Sequence, residues 1–173
     1  MFNSEIKIYG KHANYIRFLS AKGADNTKAE VKNASVFSRH IDVYIAGAII
    51  GLVKKLKSLP DKTDTPPATI FADAVIREQL KLKFLYHLAL IIDDANVSSD
   101  EAADRAFRYD NDEEKVKEGM ELFNNYVRGG IEWLYEAFTD KALSHEDYMD
   151  KIYSVVRDFA ETYYGEDTID KFL

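Results

Sequence analysis

An all-α fold is predicted for this chain: a single-domain bundle of five to six helices over residues 1–173, with a central apolar helix at about 35–57. Three observations predict it. Apolar residues recur at steps of three and four through most of the chain. Residues 35–57 are apolar on nearly every side, which marks a helix surrounded by others. All three prolines, Pro60, Pro66 and Pro67, fall in one polar stretch, so helix breakers are confined to a loop.

The elements follow in order. Ile6 to Tyr9 alternates and suits a short extended entry, and Tyr9 to Ala21 is amphipathic, with Ala13, Ile16, Phe18 and Leu19 on one side. Lys22 to Ala34 is a polar loop. Ser35 to Lys57 carries the stripe Phe37, Ile41, Ile45, Ile49, Leu52 and Leu56 and ends in lysines, where the helix dipole favours cations. Ser58 to Thr69 reads as a second loop. Phe71 to Asp93 is a helix with Leu82, Leu85, Leu88, Ala89 and Ile92 inward. Ser98-Ser-Asp-Glu101 has the form of a capping box and opens a short helix through Phe107. Asp110 or Asn111 starts a long helix to Phe138. Ser144 to Asp147 caps the last one, with Met149, Ile152, Val156, Phe159 and Tyr163 inward, Gly165 as its stop and a marginal turn from Thr168 to Leu173.

A chain of 173 residues, 46% of them hydrophobic, can bury a full core. It has no cysteine, which excludes disulfides, a Cys zinc site and thiol chemistry and agrees with a reducing compartment. Met1 to Gly10 has no apolar leader, and the run from Val43 to Val53 is about half the ~20 residues a membrane helix needs. A soluble, cytoplasmic protein without a membrane partner is expected. Residues 1–60 hold ten Lys/Arg against four Asp/Glu, whereas residues 98–173 hold nine against twenty. Nucleic acid could therefore approach only the basic N-terminal third.

The most specific signal is Gly129-Gly130 inside the long helix. Each glycine costs a helix roughly 1 kcal/mol relative to alanine, so close packing or a break must compensate. The stripe Val116, Met120, Phe123, Val127, Ile131, Leu134 and Phe138 runs straight across the pair. Gly130 falls on its flank with Gly119, Tyr126, Trp133 and Ala137, which suits a second helix approaching closely. Gly129 points nearly away from the stripe. Tyr126, Arg128, Gly129, Gly130 and Trp133 are the candidate binding residues, as a notch that accepts an anion or a partner segment. Asp42, with Arg39 three residues earlier in the most apolar helix, is the candidate buried polar anchor.

Catalytic patterns are scarce. His12, His40, His87 and His145 make no i, i+3 or i, i+4 pair, and no Glu-x-x-His occurs, so no metal ligand set is assigned. Glu118, Glu121, Glu132, Glu136, Asp147 and Asp150 are the carboxylates a divalent-metal hydrolase would use, but helical projection sends Glu118 and Glu121 to solvent. No phosphate loop or nucleophile elbow is present. No cofactor is implied.

Two stretches carry a resemblance: Phe37-Ser-Arg-His-Ile-Asp42-Val-Tyr-Ile-Ala-Gly-Ala-Ile-Ile-Gly51 and Leu122-Phe-Asn-Asn-Tyr126-Val-Arg-Gly-Gly130-Ile-Glu-Trp-Leu134. Together they resemble small helical proteins that accompany bacterial Dnd-type DNA-sulfur-modification and restriction loci. The resemblance covers about 30 residues and implies an accessory subunit of a defence or DNA-modification assembly, with no catalytic residues to carry over. A non-catalytic protein that binds a protein partner or itself is thus expected; the alternative is an all-α, divalent-metal-dependent hydrolase of nucleotides or phosphoesters.

Overall fold

The computed structural model describes residues 1–20, 36–93, 98–109 and 112–164. The chain is mostly helical. Its elements are β1 (Ile6–Ile8), α1 (Gly10–Leu19), α2 (His40–Val53), β2 (Ala68–Ile70), α3 (Ala72–Arg77), α4 (Gln79–Ile92), α5 (Ser99–Phe107), α6 (Glu113–Thr139) and α7 (His145–Tyr164).

Seven helices stand among the described residues where five to six were expected, because the predicted helix from Phe71 to Asp93 divides. Glu78 leaves helical geometry (φ −98°, ψ 10°). Its carboxylate is held by Arg39 Nη2 at 3.1 Å and Lys81 Nζ at 2.9 Å. The predicted loop from Ser58 to Thr69 also ends in structure: β2 pairs antiparallel with β1, Ile6 opposite Ile70 and Ile8 opposite Ala68. Ile8, Ala68 and Ile70 are buried, so the ribbon lays an apolar edge on the core. Such a strand is only three residues long, too short for period-two alternation to show against a polar loop.

The caps follow local chemistry. Ser98 accepts from the Glu101 amide, and Asp112 accepts from the amides of Glu114 and Lys115. Asp110 and Asn111, the expected starting residues of α6, lie outside the described residues, as do Gly165, the turn from Thr168 to Leu173 and the polar stretch from Lys22 to Ala34. At α7 the cap is reciprocal: Ser144 Oγ accepts from the Asp147 amide, while Asp147 Oδ2 accepts from the Ser144 amide at 2.9 Å. The cap of α1 comes from 50 residues away. Asp61 Oδ2 accepts from the Lys11 amide at 2.6 Å. Gly10 opens that helix at φ 62°, and a Cβ there would lie 2.5 Å from the Asp61 carboxylate, so only glycine fits.

α2 is shorter than its apolar pattern, running from His40 to Val53 rather than from Ser35 to Lys57. Lys55 takes a positive φ of 53°, and the chain then crosses α6 as a strap, with the Ser58 amide donating to the Asn125 carbonyl at 2.9 Å. α2 packs most extensively on α6 and also touches α1, α4 and β2. Ile41, Val43, Tyr44, Ala48 and Leu52 are buried on it. Phe123 of α6 takes the edges of Phe2, Tyr44 and Tyr86, with ring centroids 6.0–6.1 Å away.

The double glycine is explained by this crossing. A Cβ on Gly130 would overlap the Gly47 carbonyl oxygen and sit 2.7 Å from the Gly51 amide nitrogen. A Cβ on Gly51 would overlap the Tyr126 carbonyl in return. The two helices therefore meet backbone to backbone through Gly47, Gly51 and Gly130. Gly129 faces another neighbour: its Cβ would overlap the Leu56 carbonyl and lie 2.8 Å from the Lys57 amide nitrogen. One glycine admits α2 and the next admits the strap that follows it.

In an exposed helix Gly→Ala stabilises by about 1 kcal/mol. At Gly130 the sign reverses, because no rotamer relieves a clash with backbone. Gly130→Ala is expected to cost about 3 kcal/mol or more. By calorimetry that is a fall in Tm of roughly 6–12 °C; an unchanged or raised Tm would show that the helices do not approach this closely.

Candidate functional site

The five predicted binding residues point into three neighbourhoods rather than one notch. Gly129 and Gly130 are covered by the strap and by α2. Tyr126 is 2% exposed and donates its hydroxyl to Asp93 Oδ1 at 3.0 Å. Lys57 reaches the same carboxylate and lies 4.9 Å over the Tyr126 ring. Arg105 approaches Asp93 Oδ2 at 3.8 Å. Asp93, at the C-terminus of α4, is thus the buried carboxylate among the described residues, satisfied by a phenol and two cations. Trp133 turns towards α7, with Lys54 Nζ 4.5 Å from its ring centroid.

Arg128 is half-buried and anchors the strap. Its Nε donates to the Ser58 carbonyl at 3.0 Å and its Nη2 to Asn125. Asp42 pairs with Arg39 at 2.6 Å, as their spacing suggests. The Asp42 side chain is 28% exposed, however, so this pair, which Glu78 joins, ties α2 to α4 at the surface rather than in the core.

A cleft of about 840 Å³ is lined by Lys7, Ile8 and Tyr9, by residues 60–67 and by Arg128. Its charges are mixed. Asp61 is committed to capping α1, and the Thr63 hydroxyl, with the amides of Lys11 and Thr63, holds its carboxyl down to about 2.

Next to the cleft stand a serine, a histidine and a carboxylate that sequence reading did not connect: Ser58, His12 and Glu132. Ser58 Oγ is 3.3 Å from His12 Nε2, and Glu132 Oε2 is 3.7 Å from the same nitrogen. A nucleophile relay needs the serine on one ring nitrogen and the acid on the other, so that the acid orients the base. Here both crowd Nε2, while Nδ1 is buried and makes no hydrogen bond. Glu132 instead pairs with Lys11. The arrangement is a tie between α1, the strap and α6, and it lacks relay geometry. Positions 12, 58 and 132 are too far apart in sequence for any local motif to signal it.

The carboxylates considered for a metal do not converge either. Asp147 caps α7 and Glu132 is paired with Lys11. Among the described residues no three His, Asp or Glu side chains gather where an ion could be held. Of the N-terminal cations, Lys7, Lys11, Arg39 and Lys57 each lie in an ion pair. No helix among the described residues is long and apolar enough to cross a membrane.

The surface offers a different kind of site. Leu80, Phe84 and Ile91 of α4 are 85%, 65% and 43% exposed. With His87 they fall in one sector of the helix, and Phe107 of α5, 61% exposed, packs on the His87 ring at 5.2 Å. Single exposed apolar residues are ordinary; four on one continuous face are not. Lys81 and Lys83 lie beside this face on α4. Compared with protein-family models, curated proteins and solved structures, the chain matches none.

Burial holds the His12 pKa below its ordinary value of 6.5, outweighing the attraction of Glu132. The unfolded chain therefore takes up a proton near pH 6.5 that the native state refuses. Stability is full above that pH and falls as pH drops through the lowered native value. A denaturant titration repeated from pH 7.5 to pH 5 is expected to show this decline, and His12→Asn to flatten it. An identical slope in the variant would remove His12 as the cause.

Proposed function

We infer that this is a non-catalytic helical protein that acts by binding a protein partner, with the α4–α5 apolar face as its docking surface. The single observation that supports the reading most is the continuous exposure of Leu80, Phe84, Ile91 and Phe107. An apolar row on a helix, with Lys83 beside it, suits a partner that offers its own apolar helix face with acidic residues beside it. Four of the ten N-terminal cations, Lys7, Lys11, Arg39 and Lys57, are engaged in ion pairs, which supports a protein partner over nucleic acid. The resemblance carried by residues 37–51 and 122–134 extends the proposal to an accessory role in a bacterial DNA-modification or defence assembly in the cytoplasm.

The test is a surface variant that leaves the fold alone. Leu80→Gln with Phe84→Gln alters exposed side chains, so stability is expected to stay within about 0.5 kcal/mol of the parent. Binding is expected to fall at least tenfold when the protein and its variant are titrated against the products of the genes beside its own. Equal affinity of both proteins for such a partner would reject this face as the docking surface.

A further inference from the structure

Arg128 carries a charge that its work in the fold does not need. Its Nε donates to the Ser58 carbonyl at 3.0 Å and its Nη2 to Asn125 Oδ1, and both acceptors are neutral. Two such bonds require a donor; they do not require a full positive charge. The other N–H groups of the guanidinium, both of those on Nη1 among them, enter no hydrogen bond or ion pair among the described residues. Glu132, one helical turn on, is paired with Lys11, and Glu121 acts on Arg128 only from a distance. Burial accordingly holds the Arg128 pKa below its ordinary value, outweighing the opposing pull of Tyr44 and Glu121. A half-buried cation without a counter-ion is costly to hold, and this one lines the cleft.

The cleft selects the anion. At about 840 Å³ it is in the size range of small-molecule sites. Its cations are Lys7, Lys62 and Arg128 and its carboxylates Asp61 and Asp64, which leaves one positive charge in excess. A monoanion balances that lining. A dianion such as a phosphate monoester overshoots it and meets Asp61, which its hydrogen bonds keep ionised. The unused N–H groups of Arg128 suit a planar carboxylate, which accepts paired bonds from a guanidinium. Tyr9, 52% exposed, and Pro60, Pro66 and Pro67 supply apolar surface for the body of such a molecule.

We propose that this cleft binds a small organic carboxylate, with the carboxylate on Arg128 and an apolar body against Tyr9 and the prolines. The site shares no residue with the α4–α5 face and calls for no protein partner, so neither reading depends on the other.

Benzoate is the probe, titrated into 15N-labelled protein at constant ionic strength and followed by NMR through the Arg128 Nε–H and the amides of residues 61–65. Saturable shifts of these groups are expected. Benzoate should bind more tightly than acetate, which lacks the apolar body, and more tightly than inorganic phosphate. Arg128→Gln should weaken benzoate binding by about tenfold or more, since a hydrogen bond to a charged group is lost. Because Arg128 also holds the strap, a second variant is read beside it. Tyr9→Ser alters an exposed ring and should lower the preference for benzoate over acetate while acetate affinity stays the same. Shifts that are absent or never saturate overturn the proposal. So do phosphate binding tighter than benzoate, undiminished affinity in Arg128→Gln, or an unchanged preference in Tyr9→Ser.

Discussion

The backbone contact between α2 and α6 is the constraint from which the rest of the arrangement follows. Gly47, Gly51 and Gly130 let two helices meet without intervening side chains. A glycine inside a helix costs roughly 1 kcal/mol in conformational entropy, and the crossing offsets it by bringing many atoms into dispersion contact. A carbonyl facing a glycine Cα also receives a weak Cα–H bond of the kind seen where helices touch closely. The chain leaving α2 turns at once. It takes the left-handed conformation at Lys55 and passes over Gly129. That path delivers Lys57 to Asp93 and Ser58 to His12. The polar ties around the crossing are consequences of its geometry.

How much of this was legible depended on the reach of each signal. The Gly130 register could be read because the stripe from Phe123 to Phe138 fixes which way every α6 residue points. Gly129 could not, since Leu56 and Lys57, which cover it, lie some seventy residues earlier and read as the last turn of a helix. Asp42 drew notice by standing among apolar neighbours, yet the first turn of a helix leaves it at the surface beside Arg39. Asp93 gave no such signal, because a helix-terminal aspartate is common in sequence and its burial comes from Lys57, Arg105 and Tyr126 on other elements. Local pattern determines direction on one helix; the identity of the neighbour is a tertiary fact.

The two seams of α7 show the same limit from another side. Along its polar-apolar pattern Met149, Ile152, Val156, Phe159 and Tyr163 form a plausible inward row, and Tyr148, Ile152, Val155 and Phe159 form another. Periodicity cannot choose between rows that lie within one broad apolar sector. What chose is aromatic geometry: Tyr148 can reach Phe18 and Phe138 edge-on, and that anchors the helix at its N-terminal end.

A helix that buries one seam and leaves a second open carries hydration cost with no internal return. The same holds for Leu80 and Phe84 on α4, whose opposite face, with Leu82, Leu85 and Ala89, already supplies the core contact. Leu80 and Phe84 lie outside the packed face of α4. Both helices lie outside the α2–α6 pair, where the glycine crossing makes no demand on them. The interior of the molecule is explained by backbone approach and by the ion ties that follow from it. Its apolar exterior takes no part in that crossing.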